Sequence, residues 1–148
     1  MSYFHVVIKT KSDDSWKCCL KDINEEKLIE LFIKPYKKGN KIIVEGEVVS
    51  TKKINHVVIS KTHKNHKEEL ENVRKTSEQY FKEMNKNSTV RIMSPGYGLR
   101  NYEIKDCGEN VTSYYLTNGA GEEGFMNNPW VITIGGGLVV GGILLLLS

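Results

Sequence analysis

The last twenty residues constrain this chain more than any other part of it. From Pro129 the sequence runs PWVITIGGGLVVGGILLLLS, and the eighteen residues from Trp130 to Leu147 carry no ionisable side chain. At a helical rise of 1.5 Å per residue such a run measures roughly 27 Å, close to the ~30 Å hydrocarbon core of a bilayer. Pro129 suits the first turn of a helix, and Trp130 is the kind of amphipathic ring that settles at headgroup level. The expectation is one transmembrane helix over residues 129–148, in preference to a buried core helix. Every Lys and Arg precedes the span, so the domain in front of it is expected to face the cytoplasm. Met1 leads within two residues into a strand-like run containing His5 and Lys9. No signal peptide is therefore expected, and insertion rests on the C-terminal helix.

Five glycines sit in that span, Gly135, Gly136, Gly137, Gly141 and Gly142, although Gly is a poor helix former. In lipid, small residues let helix backbones approach, and Gly137-Leu-Val-Val-Gly141 has GxxxG spacing. At ~100° per residue, Gly135 and Gly142 fall within about 20° of each other, and Gly137 and Gly141 lie some 130° away. A dimer needs one close-contact face, whereas a closed ring needs two. A homo-oligomeric ring, with a tetramer favoured, is expected over a dimeric anchor. Its pore would be lined by Thr133 and glycine backbone, and gated by dewetting and helix tilt.

What precedes the span is enough for one domain. The 21 Lys+Arg against 18 Asp+Glu give a mild net charge of +3, which does not by itself call for a nucleic-acid partner. Distribution says more: no acidic residue lies between Glu47 and Glu68, where Lys52, Lys53, Lys61, Lys64 and Lys67 are joined by His56, His63 and His66. That stretch is either a phosphate-attracting surface or a solvated face. Three cysteines, Cys18, Cys19 and Cys107, are odd in number and two are adjacent, which suits a reducing compartment better than a disulfide framework.

Periodicity predicts an opening hairpin of Tyr3 to Lys11 and Ser15 to Leu20 across a Lys11-Ser-Asp-Asp turn. Asp22-Ile-Asn-Glu25 has capping-box spacing before an apolar helix with Leu28, Leu31 and Phe32, ending near Pro35 and Gly39. Strands are predicted at Lys41 to Val49 and Asn55 to Lys61. A second helix runs from His66 to Lys86, with Leu70, Val73, Tyr80, Phe81 and Met84 near one face. Short strands follow at Thr89 to Met93, Leu99 to Lys105 and Val111 to Leu116, the first two joined by Ser94-Pro-Gly-Tyr-Gly98. The order ββαββαββ implies an α+β domain over residues 1–116, a small antiparallel sheet with two helices packed on one face. Residues 117–128, rich in Gly and Asn, read as a linker.

No catalytic constellation is legible, and the chain reads as a non-enzyme without cofactor. His63 and His66 have a spacing seen in metal sites, but no Cys or carboxylate completes a tetrahedral set, so both are expected at the surface. Gly96-Tyr97-Gly98 lacks the remainder of a phosphate loop and reads as a turn. Cys107 has no His base beside it. Binding remains, and the candidate ligand contacts are cationic and aromatic: Lys61, Arg74, Lys75, Arg91, Tyr97, Arg100 and Tyr102. Arg offers bidentate phosphate contacts and Tyr a stacking face, so a nucleotide or short oligonucleotide is a chemically reasonable ligand.

The segments FHVVIKTKS, LKDINEEKLIELFIKPYKKGNKIIVEGEVV, NHVVISKT and GENVTSYYLTNGAGE cover most of residues 4–122. They resemble a small N-terminal domain of bacterial defence proteins that often precedes a TIR-like nucleotide-binding module. Here a membrane helix stands where the enzymatic module would be. One cytoplasmic domain followed by one helix also resembles the membrane effector of the Hailong bacterial antiviral system, which partners a nucleotidyltransferase. That resemblance implies a tetrameric ion channel in the bacterial cell membrane, held shut by an oligodeoxyadenylate ligand, whose opening depolarises the infected cell. It transfers no binding residue. A tail-anchored adaptor that recruits a cytosolic partner is the competing expectation.

Overall fold

The computed structural model describes residues 1–117. The expectations for the linker, for the membrane helix and for Thr133, Gly135, Gly136, Gly137, Gly141 and Gly142 fall outside those residues. Among the described residues no helix is long and apolar enough to cross a membrane.

The fold is α+β, built on strand β1, Tyr3–Thr10, whose run Phe4 to Ile8 is wholly buried. A strand buried on both faces must occupy the middle of a sheet. β1 pairs antiparallel with β2, Asp13–Ile23, on one side and with β5, Ile54–Thr62, on the other. A two-residue strand β6, Glu109–Asn110, adds to β5 and completes the order β2-β1-β5-β6.

Both faces of the sheet are covered, not one. Phe4, Val6, Ile8 and Ile59 point toward Leu28, Phe32 and Ile33 of the first helix, which spans residues 25–37. The short helix Thr112–Thr117 closes the same side: Tyr115 packs edge-on against Phe4 at 5.9 Å and its hydroxyl donates to Glu25 Oε1 at 2.6 Å. On the opposite face Val7 meets Leu70 of the long helix His66–Met84, together with Ile104 and Cys107. This second core is small, and His5 shares its side of the sheet.

Several local expectations are corrected. Asp22 does not cap the first helix; Asn24 does, its side chain accepting from Lys27 N at 3.0 Å. Asp22, at φ +54°, instead turns its carboxylate to His66 N at 2.6 Å, adding to the cap of the long helix that Asn65 makes by accepting from Glu68 N at 3.0 Å. The first helix ends at Lys37, between Pro35 and Gly39 as expected, and it runs through Pro35 because Ile29–Ile33 winds as a π-helix just before it. The wider turn moves the upstream carbonyls that a proline ring would strike in α geometry.

Lys41 to Val49 is a hairpin rather than one strand. β3, Lys41–Val44, and β4, Glu47–Ser50, meet across Glu45-Gly46, both at positive φ, which is the two-residue turn that matches strand twist. Ile42 and Val44 join the first core. Thr89 to Met93 is not a strand but an extended surface segment; Leu99 to Lys105 becomes the 3-10 segment Asn101–Asp106; Val111 to Leu116 is helical. Among the described residues the order is therefore ββαβββαβα, not ββαββαββ, with three helical segments apart from the 3-10 turns.

Candidate functional site

The long helix outruns the core it packs on. Leu70 is buried and Val73 packs beside it, but Tyr80 is 59% exposed and Met84 41%, so the predicted apolar stripe leaves the sheet halfway along. The segment that follows folds back beside the emergent half and is pinned there by side chains. Asn85 brackets Ile92, donating to its carbonyl at 2.6 Å and accepting from its N–H at 2.7 Å. The Ser77 and Ser94 hydroxyls meet at 3.2 Å. At Gly98, φ +81°, a Cβ would collide with the Leu70 carbonyl oxygen and lie 2.8 Å from Arg74 N, so the chain touches the helix backbone where only glycine fits.

Two open clefts result, and both are lined by Phe81. One, of about 950 Å³, carries Lys82, Lys86 and Arg91 and no carboxylate. It lies at the C-terminal end of the helix, where the backbone dipole contributes roughly −0.5 charge; three full cations outweigh that and leave a net attraction for anions. The other, of about 610 Å³, is lined by Val73, Tyr80, Phe81, Tyr97 and Cys107 together with the carboxylates of Glu69 and Asp106, so it suits a neutral ring rather than a phosphate. Tyr80 and Phe81 are edge-on to each other at 5.4 Å. A cation-lined cleft beside an aromatic groove suits a ligand with both phosphate and a flat ring.

Of the seven predicted contacts the structure brings two here, Arg91 to the basic cleft and Tyr97 to the aromatic groove. Arg74 and Lys75 are on the long helix, each engaged four residues away, with Glu78 at 3.1 Å and Glu71 at 2.9 Å. Arg100 sits exposed ahead of the 3-10 segment, and Tyr102 packs against the second core. Lys61 is on the other sheet face, near Phe4 and in a small cavity that also holds Glu25 and Glu109, surroundings that disfavour an anion. Lys82, Lys86, Tyr80 and Phe81 were not among the predicted ligand contacts, although Tyr80 and Phe81 belong to the predicted apolar stripe. The signal for them was the apolar stripe of the long helix, which is longer than a short sheet can cover.

A second constellation was also missed. His5 is fully buried; its Nδ1 accepts from Asp22 N at 3.2 Å, which places the proton on Nε2, facing Thr62 Oγ1 at 2.8 Å. Thr62 in turn donates to the Lys64 carbonyl at 2.7 Å. His66 is buried too, not at the surface as expected, and its Nε2 lies 3.0 Å from the Asn101 carbonyl. Burial lowers the His5 pKa to about 4, the nearby His66 adding to that and Asp22 opposing it. The network ties β1, β2, β5, the start of the long helix and the 3-10 segment together.

Burial also pushes the thiols of Cys18 and Cys107 up to about 11 and that of Cys19 to about 12, so none is an activated nucleophile at neutral pH. Among the described residues no three His, Cys, Asp or Glu side chains come together in a way that would hold a metal ion. Family models, curated proteins and solved structures were all compared with the chain, and none matches it.

Proposed function

We propose that the chain is a single-span effector of bacterial anti-phage defence, with a cytoplasmic sensor domain over residues 1–116, a linker over 117–128 and a membrane helix over 129–148. The helices assemble as a homo-oligomer, a tetramer by preference, around an ion-conducting pore. A nucleotide or short oligodeoxyadenylate, made by a partner nucleotidyltransferase, binds the sensor and controls opening, and conduction depolarises the infected cell. The observation that carries the ligand class is the basic cleft adjoining the aromatic groove at Phe81, because phosphates and a base need those two surfaces side by side. The role is binding, not catalysis. The glycine faces of the tail support the assembly.

Planar-bilayer recording of the 148-residue chain tests this directly: currents should respond to added oligodeoxyadenylate, and Gly137→Leu with Gly141→Leu should abolish them along with assembly. Absence of current with and without the oligonucleotide would refute the channel. The adaptor reading draws on the exposed apolar side chains near Met93, which offer a protein partner a surface. Exchanging residues 129–148 for an unrelated apolar span separates the two, since an adaptor keeps its function and a channel loses it.

A further inference from the structure

Residues 84–102 contain Lys86, Arg91 and Arg100 and no carboxylate. Within the same stretch Val90 is 68% exposed, Met93 82% and Leu99 70%; Met93 lines the basic cleft with Lys86 and Arg91, whereas Val90 and Leu99 line neither that cleft nor the aromatic groove. Isolated exposed aliphatic groups need no explanation; three within ten residues, alternating with cations on a pinned segment, do. We propose that this segment is a docking surface for an anionic bilayer, with Val90, Met93 and Leu99 entering the headgroup region and Lys86, Arg91 and Arg100 contacting lipid phosphates. The inference rests on the membrane-anchored reading above and adds an orientation to it.

The chemistry favours lipid over the other occupants. An oligonucleotide in the basic cleft engages Lys86 and Arg91 too, so ligand and bilayer compete for those two cations, but it leaves Val90 and Leu99, which line neither cleft, without a partner. A second copy meeting the first through the same patch would set Lys86, Arg91 and Arg100 against their own like. An anionic interface takes both kinds of side chain at once, as basic amphipathic surfaces do. Geometry permits it. Twelve residues, 118–129, separate the described domain from the apolar run, an extended reach of roughly 40 Å. A folded unit of this size is about 35 Å across. The tether makes docking intramolecular, so a contact too weak to hold a free protein becomes populated.

The test uses the 148-residue chain reconstituted in phosphatidylcholine vesicles with and without phosphatidylglycerol, read by flotation and by hydrogen exchange over residues 84–102. Each cation near an anionic surface shifts partitioning roughly fivefold, so exchange should slow at least about tenfold in the anionic vesicles alone. Met93→Asp with Leu99→Asp should remove the protection while exchange in β1 and β5, which reports the fold, stays unchanged. Flotation with equal exchange in both vesicles overturns docking and leaves the anchor. Protection by anionic vesicles without flotation on neutral ones overturns the anchor and leaves docking. Neither flotation nor protection overturns both. Protection that follows protein density rather than lipid charge assigns the patch to a second copy and overturns the proposal.

Discussion

His5 makes the fold's stability depend on pH in a direction and range that follow from its surroundings. Its Nδ1 accepts the Asp22 N–H, so protonation sets two donors face to face inside a fully buried site. An unfolded His titrates near 6.5, whereas the native ring resists until about 4. Between those values the unfolded state binds one proton more than the native state. Stability contributed by His5 is thus complete above pH 6.5, falls as the pH drops, and levels off near 4. At 1.36 kcal/mol per pH unit the loss is at most roughly 3 kcal/mol, and about 2 kcal/mol after allowing for residual solvent screening.

Urea denaturation of the chain in mild detergent at a series of pH values reads that loss against His5→Gln, which keeps a donor for Thr62 and cannot titrate. The substitution lowers stability at neutral pH, because Asp22 N–H loses its acceptor, but it should flatten the acid limb by about 2 kcal/mol between pH 7 and pH 4.5. Parallel pH profiles for the two would refute the assignment of a neutral, buried His5.

Tyr97→Ala should weaken binding of a short oligodeoxyadenylate roughly tenfold or more in fluorescence anisotropy, at about 1–3 kcal/mol per stacked base, whereas Lys75→Ala should leave it unchanged. Lys86→Glu with Arg91→Glu should lower the same affinity and flatten its salt dependence; an unaltered salt slope would remove the basic cleft from the site. Gly98→Ala should cost about 1–3 kcal/mol in urea denaturation and speed hydrogen exchange around Ser94 and Tyr97, since the segment must lift from the Leu70 carbonyl. Tyr115→Phe removes the 2.6 Å bond to Glu25 and should cost about 1.5–3 kcal/mol, read the same way.

What was legible in the sequence is what local pattern determines. The FHVVI run marks β1 as a strand, and β5 and the long helix begin within a residue of where apolar spacing puts them. The hairpin β3–β4 was hidden because Val44 and Val48 continue an apolar run across Glu45-Gly46. The segments at Thr89 and Leu99 have the β-branched and aliphatic content of strands but pair with no strand of either sheet, and a strand without a partner leaves its backbone groups to water. Residues 101–106 wind as a 3-10 segment because the Glu103 carboxylate accepts Arg100 N at 2.9 Å while Ile104 and Cys107 turn into the second core. The candidate cleft was half legible: Arg91 and Tyr97 stood out as a cation and an aromatic ring near predicted strand ends, whereas Lys82 and Lys86 resemble any helix-surface charge until the chain folds back beside them.

The route from the aromatic groove to the end of the described chain is short. Cys107 lines the groove, β6 follows at once, and the helix Thr112–Thr117 ends ten residues later. That segment is clamped on β5 at its start and its middle, by the Ser60 hydroxyl donating to the Cys107 carbonyl and by the Thr112 hydroxyl accepting from Ile59 N at 2.8 Å. A ligand in the groove therefore has a stiff lever toward the residues that continue into the apolar run, and controls them only as far as it binds two positions of that lever differently. Ser60→Ala leaves the groove's lining intact but frees the lever's near end, stranding a buried carbonyl at a cost of about 1–3 kcal/mol. Oligodeoxyadenylate affinity should stay within about threefold while the dependence of bilayer current on it is lost. If ligand control of current survives with affinity unchanged, signalling does not pass through Cys107, and the linker or the bilayer-facing segment must carry it instead.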